Sequence, residues 1–112
     1  MKQDLTFDEL NTALGGNAIS INGNDIVISM SAVTGDTYTA LTDEGVIEAL
    51  YKIRSACSTA QDSANELLPE GEKLDSFPGF SFSPPANGLV TVTQSHTVQI
   101  PIDTATVIGT NV

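Results

Sequence analysis

The sequence predicts an α+β fold, a small antiparallel sheet with one long helix packed across it and a short N-terminal helix. Three observations carry this. Val46, Leu50, Ile53, Cys57, Ala60, Ala64 and Leu67 recur at alternating spacings of four and three, which places them on one helical stripe. Before this stripe, Ile19, Ile21, Ile26, Ile28 and Met30 follow the two-residue period of a strand. After it, Val90, Val92, Val98, Ile100 and Ile102 share one parity.

The first element spans Leu5 to Leu14. Thr6 is a good N-cap, Glu9 completes a capping box, and Leu5 with Leu10 holds the positions of a hydrophobic staple. Gly15-Gly16 ends the helix, and Phe7, Leu10 and Leu14 form the face expected to dock on the core.

Ala18 to Ala32 reads as a hairpin. A Gly23-Asn24 loop sets Ile21 opposite Ile26 and Ile19 opposite Ile28, whereas Asn22-Gly23, the stronger local turn signal, sets Ile21 opposite Asn24. Cross-strand pairing favours the first register. Thr34 to Ala40 is then a polar connector.

The long helix is expected from Thr42 to about Leu68, ahead of Pro69 and Gly71, a length of roughly 39 Å. Thr42 would cap it, Asp43 and Glu44 would face the positive end of its dipole, and Leu41 with Val46 would form a second staple. Such a helix exceeds a typical strand of ~17–20 Å. Its far half overhangs a small sheet unless something else covers it.

Ser76 to Gly88 places Phe77, Phe80 and Phe82 among prolines and glycines, an irregular loop holding three of the four phenylalanines. Leu89 to Ile102 then supplies further strand, with Pro101 at a sheet edge or beyond it. Thr104 to Ile108 is a last extended piece, and 103–112 is set apart as an extended C-terminal arm of a single domain over 1–112.

At 112 residues, one modest core is available. Fourteen acids against four bases give a charge of −10, which repels phosphate backbones and argues against direct nucleic-acid binding. Eight of those acids lie between Asp43 and Asp75, while beyond Ser76 the only titrating side chains are His96 and Asp103. That uncharged C-terminal third, rich in Thr, Val and Ile, has the composition of a surface that something covers. Met1-Lys2-Gln3-Asp4 lacks the apolar run of a signal peptide, and no segment approaches a membrane span. The expectation is a cytoplasmic protein, or part of a particle such as a virion assembled there.

Chemistry-bearing constellations are sparse. Cys57 stands alone in the helical stripe, where a buried, inert thiol is expected. Asp36 with Asp43 and Glu44, or Asn22, Asn24 and Asp25, do not match a calcium loop, and capping and turn roles account for them. His96 beside Ser95 lacks the sharp turn and orienting carboxylate of a nucleophile site. Gly15-Gly16 follows a helix instead of preceding one, so it is no phosphate loop. No enzyme, metal or cofactor is expected.

The long helix could be a coiled-coil seam, but Ile47, Ala49, Ala56 and Leu68 widen its apolar face where a two-stranded coil carries charges. The Phe77–Phe82 loop has two readings, an exposed contact surface or a plug folded back on the core. The sequence therefore points to a non-enzymatic structural or assembly subunit, an oligomer or part of a larger protein assembly, most specifically a phage-type virion accessory protein that decorates a capsid. Its expected interface is Ala64, Leu67 and Leu68 on the overhanging helix, Phe77, Phe80 and Phe82 in the loop, and Val107 and Ile108 in the arm. The alternative is an acidic module that masks a basic partner surface as a nucleic-acid mimic or inhibitor.

Overall fold

A computed structural model of the chain describes residue 2 and residues 4–95. It is α+β, with helix α1 (Phe7–Ala13), strands β1 (Ile19–Asn22) and β2 (Asp25–Ile28), helix α2 (Met30–Thr34), the long helix α3 (Val46–Asn65), and strands β3 (Ser81–Phe82) and β4 (Val92–Thr93).

α1 begins as its residues dictate. Glu9 N–H donates to Thr6 Oγ1 at 3.1 Å, and Thr6 N–H donates back to Glu9 Oε1 at 2.8 Å, a complete capping box. Lys2 pairs with the same carboxylate at 2.8 Å. Beyond the helix, Asn11 Oδ1 accepts from the N–H groups of Ala18 and Ile19 at 3.0 and 2.8 Å, which ties α1 to the start of β1. Leu10 and Leu14 are half-buried, but Phe7 on the same face remains exposed. The docking face of α1 is thus narrower than its spacing implies.

β1 and β2 pair antiparallel with Ile21 opposite Ile26 and Ile19 opposite Ile28. The loop is Gly23-Asn24, and the positive φ falls on Gly23 alone (63°), the pattern of a type II′ turn. Cross-strand isoleucine pairing has prevailed over the Asn-Gly turn preference. The period-two pattern is cut at Ile28, because Ser29 Oγ accepts from Ala32 N–H and opens α2, with Gly35 closing it in the left-handed region. Met30 is therefore helical and not part of a strand.

α3 starts at Val46, four residues after Thr42. Asp43 turns its carboxylate back onto the N–H groups of Thr39 and Ala40 at 2.7 and 3.2 Å, so it closes a loop instead of leading a helix. Gly45 is the N-cap, and a Cβ there would stand 2.8 Å from the Tyr38 hydroxyl. Leu41 and Val46 are both exposed, so the second staple does not form. At its other end, Lys73 Nζ donates to the carbonyls of Asn65 and Leu68 at 2.6 and 2.9 Å. That supplies the positive charge α3's last turn lacks.

The strands form two separate two-stranded sheets. In the second, Ser81 pairs with Thr93 and Phe82 with Val92, and an Ala86–Leu89 bridge closes it around Asn87-Gly88. Both turn residues have positive φ, 55° and 74°, as a type I′ turn requires. Pro84 and Pro85 have no N–H to donate, which separates the bridge from the ladder. Part of the 76–88 loop is thus one arm of a hairpin. α3 lies against this ribbon: Tyr51 meets Phe80, just before β3, with ring centroids 5.3 Å apart, and Gln94, just after β4, donates to Ser58 Oγ at 2.6 Å. α1 and α2 also pack on α3.

The core is made of small side chains. Ala18, Val33, Ala49, Ala56, Cys57, Ala60 and Gln61 are buried, and no large side chain in the described residues is fully enclosed. The face of α3 that the chain covers itself is the Ala49–Ile53–Ala56–Ala60 row, whereas Val46 and Leu50 of the expected stripe are exposed. Small residues let α1 and α2 lie close; the bulkier row is left outward.

Candidate interface surfaces

α3 presents two different surfaces along its length. Its second half holds the following loop by hydrogen bonds from Ser58, Gln61 and Asn65, spaced three and four apart on one face. Gln61 is buried and pairs its carboxamide with the Phe77 peptide, accepting from N–H at 3.0 Å and donating to C=O at 2.9 Å. Asn65 does the same to Leu74, at 2.7 and 2.8 Å. Ser58 Oγ reaches the carbonyls of Phe77 and Pro78, both at 3.1 Å. These amides imitate a strand edge, and they satisfy backbone groups of a loop that has no ladder of its own. The 74–78 segment thus covers the far half of the helix that would otherwise overhang.

This divides the expected interface residues. Phe77 is anchored by its backbone and half-buried, and Phe80 is half-buried against Tyr51. Phe82 is 63% exposed on β3. The loop is therefore folded back on α3 at Phe77 and Phe80 and exposed at Phe82. Ala64 and Leu68 are half-buried beside the polar ladder, while Leu67 is exposed. Val107 and Ile108, with His96 and the arm from 103, lie outside the described residues.

The first half of α3 turns outward Val46, Ile47 and Leu50, which the spacing predicts to pack on the sheet, with Tyr51 beside them. The signal was present: four bulky residues at offsets of one, four and five beside a row of alanines describe two apolar faces, of which a chain with short companion elements can cover one. At the hairpin tip, Ile21 and Ile26 are exposed as well.

Polar chemistry is limited. An open cleft of about 210 Å³ between α1, α2 and α3 has Lys52, Ser55 and Thr59 as its polar lining. It is smaller than the ~300–1,000 Å³ of a typical small-molecule site. Burial pushes the Cys57 thiol up, away from the reactive thiolate. Asp36 and Glu48 bring their carboxyl groups together, and the hydrogen bond and repulsion from Asp36 raise Glu48 above its ordinary value. Among the described residues, no group of three or more His, Cys, Asp or Glu is placed to hold a metal ion. Among the same residues, no helix is long and apolar enough to cross a membrane. Compared with family models, curated proteins and solved structures, the chain matches none of them.

Proposed function

We propose that the protein is a non-enzymatic assembly subunit whose outward apolar surfaces are covered by other protein subunits. The observation that supports this is the inversion of burial: the enclosed side chains are mostly alanines, while Phe7, Ile21, Ile47, Leu50, Leu67, Phe82 and Leu89 face outward. Single exposed apolar residues are ordinary; a run of them on one helix face and along a ribbon marks a contact surface. A virion accessory protein that decorates a capsid is the specific form of this reading, since such a subunit completes its core against its neighbours. Sedimentation across the micromolar range, at low and high salt, tests it together with the size of the complex that holds the protein in its native cell. Association that survives high salt supports apolar assembly; a monomer that meets no partner sinks it, and a partner held only at low salt replaces it with the acidic mask.

A further inference from the structure

We propose that Asn22, at the tip of the first hairpin, is a site of spontaneous deamidation: the Gly23 nitrogen displaces ammonia from the Asn22 side chain, and water then leaves an aspartyl or isoaspartyl residue there. This stands on the hairpin alone and is independent of the assembly reading. Two asparagines precede a glycine, Asn22 and Asn87. A following glycine matters because the attacking nitrogen then has no Cβ beside it to hinder its approach. Asn22 ends β1 and Gly23 opens its two-residue loop, while Asn87 and Gly88 are themselves the loop of the second hairpin; all four are exposed. The carboxamides of Asn11 and Asn65 are committed to backbone groups. That of Asn22 has no hydrogen-bond partner among the described residues, and neither has the Gly23 N–H. Nucleophile and electrophile are therefore adjacent, solvated and unpaired.

The backbone separates the two pairs. The ring closes only when the nitrogen of the next residue swings to the same side as Cβ. Asn87 is held left-handed, with φ 55°, and there the next nitrogen lies anti to Cβ, as far as it can be from the side-chain carbon. Asn22 is extended in β1, which leaves that nitrogen roughly gauche to Cβ, with a shorter rotation to make. Hydroxide removes the Gly23 amide proton, the nitrogen bonds to Asn22 Cγ, and the Cγ–Nδ2 bond breaks as Nδ2 leaves as ammonia, protonated by water. One water then opens the five-membered imide at either carbonyl. Opening at Cγ restores the main chain and leaves a carboxylate at position 22. It faces Asp25, the cross-strand partner of Asn22, and like charges directly opposite destabilise a ladder. Opening at the main-chain carbonyl routes the chain through Cβ and Cγ, one methylene longer, in a hairpin whose register rests on a two-residue loop. Either product loosens the Ile21–Ile26 pair beside the turn.

The full chain, held at pH 9 and 37 °C, should gain an acidic form on ion exchange, and gain it more slowly at pH 6. Peptide mapping should place the exchange of amide for acid at position 22 several times faster than at position 87, and an isoaspartyl-specific carboxyl methyltransferase should label the aged protein. Asn22→Gln, which would need a six-membered ring, should abolish the early acidic form, and Asn87→Gln should leave it. Asn22→Asp should melt a few degrees below the wild type, with the gap narrowing in molar salt as the facing carboxylates are screened. No acidic form at pH 9, or conversion at position 87 as fast as at position 22, overturns the site. An Asn22→Asp chain that melts with the wild type overturns the consequence for the hairpin.

Discussion

The two halves of α3 solve the same problem in opposite ways. From Ser58 to Asn65 the helix is covered by its own chain, and the cover is held by amide and hydroxyl side chains that grip the backbone of 74–78. From Val46 to Tyr51 the helix carries bulkier apolar side chains, and they face outward. A loop rich in proline and glycine cannot offer a regular apolar face, but it offers carbonyls and N–H groups, so polar residues bind it best. Apolar residues need a partner with its own apolar face, and among the described residues the short helices α1 and α2 are already used on the alanine row.

The largest expected effect falls on the polar half. Gln61→Ala removes two hydrogen bonds to the Phe77 peptide and the volume of a buried side chain, and should cost about 2–3 kcal/mol. A drop in Tm of roughly 10 °C would accompany it. An unchanged melt would mean that the loop is not held from this position, and the contrast between the halves would collapse.

Overpacking sharpens the comparison next. Ala60 is 4% exposed and Ala64 is half-buried one turn later. Ala60→Leu should destabilise the isolated chain by about 1–3 kcal/mol, and Ala64→Leu by less. Denaturant midpoints for the two variants decide it; equal losses would show that the enclosed part of α3 extends further than its burial pattern states.

In the outward half the expectation reverses. Val46→Ser and Ile47→Ser should each change the stability of the dilute monomer by no more than about 0.5 kcal/mol, the range of ordinary surface positions. A cooperative loss of more than that from either would place this face inside the core after all.

Much of this architecture was legible in residue pattern. The Thr6–Glu9 box, the isoleucine register of the first hairpin and the long central helix follow from local chemistry that nothing tertiary opposes. Asn87-Gly88 carries an equally local turn signal, but it sits among prolines and phenylalanines whose pattern is that of an irregular loop. The start of α3 was harder, because Asp43 and Gly45 act through Thr39, Ala40 and Tyr38, contacts that no spacing encodes. Periodicity located the inward stripe from Ile53 through Cys57 and Ala60 to Ala64, but not the facing of the first turns, where Val46 and Leu50 of that stripe are exposed and Ala49 beside it is buried. Both rows are apolar, and the choice depends on how closely α1 and α2 approach.

The smallest effect concerns the carboxylates around the start of α3. Glu48 is raised above 4.5 by the hydrogen bond and repulsion of Asp36, with the attraction of Lys52 opposing. A raised acid binds its proton more tightly in the folded state, so its contribution is present below the unfolded value and lost as pH climbs through the folded one. Asp43, lowered by the N–H groups of Thr39 and Ala40, runs the other way: it supports the fold above its unfolded value and ceases to as pH falls through the folded one. Glu48→Gln should therefore make the dilute chain slightly more stable than the wild type at pH 7, with the gain fading as pH falls to 4.5, whereas Asp43→Asn should make it slightly less stable at pH 7, with the loss fading only below the ordinary carboxylate range. Urea midpoints at pH 7, 5.5 and 4 would separate the two. If Glu48→Gln instead weakens the dilute chain at pH 7, the pull of Lys52 within the same helix outweighs the repulsion of Asp36.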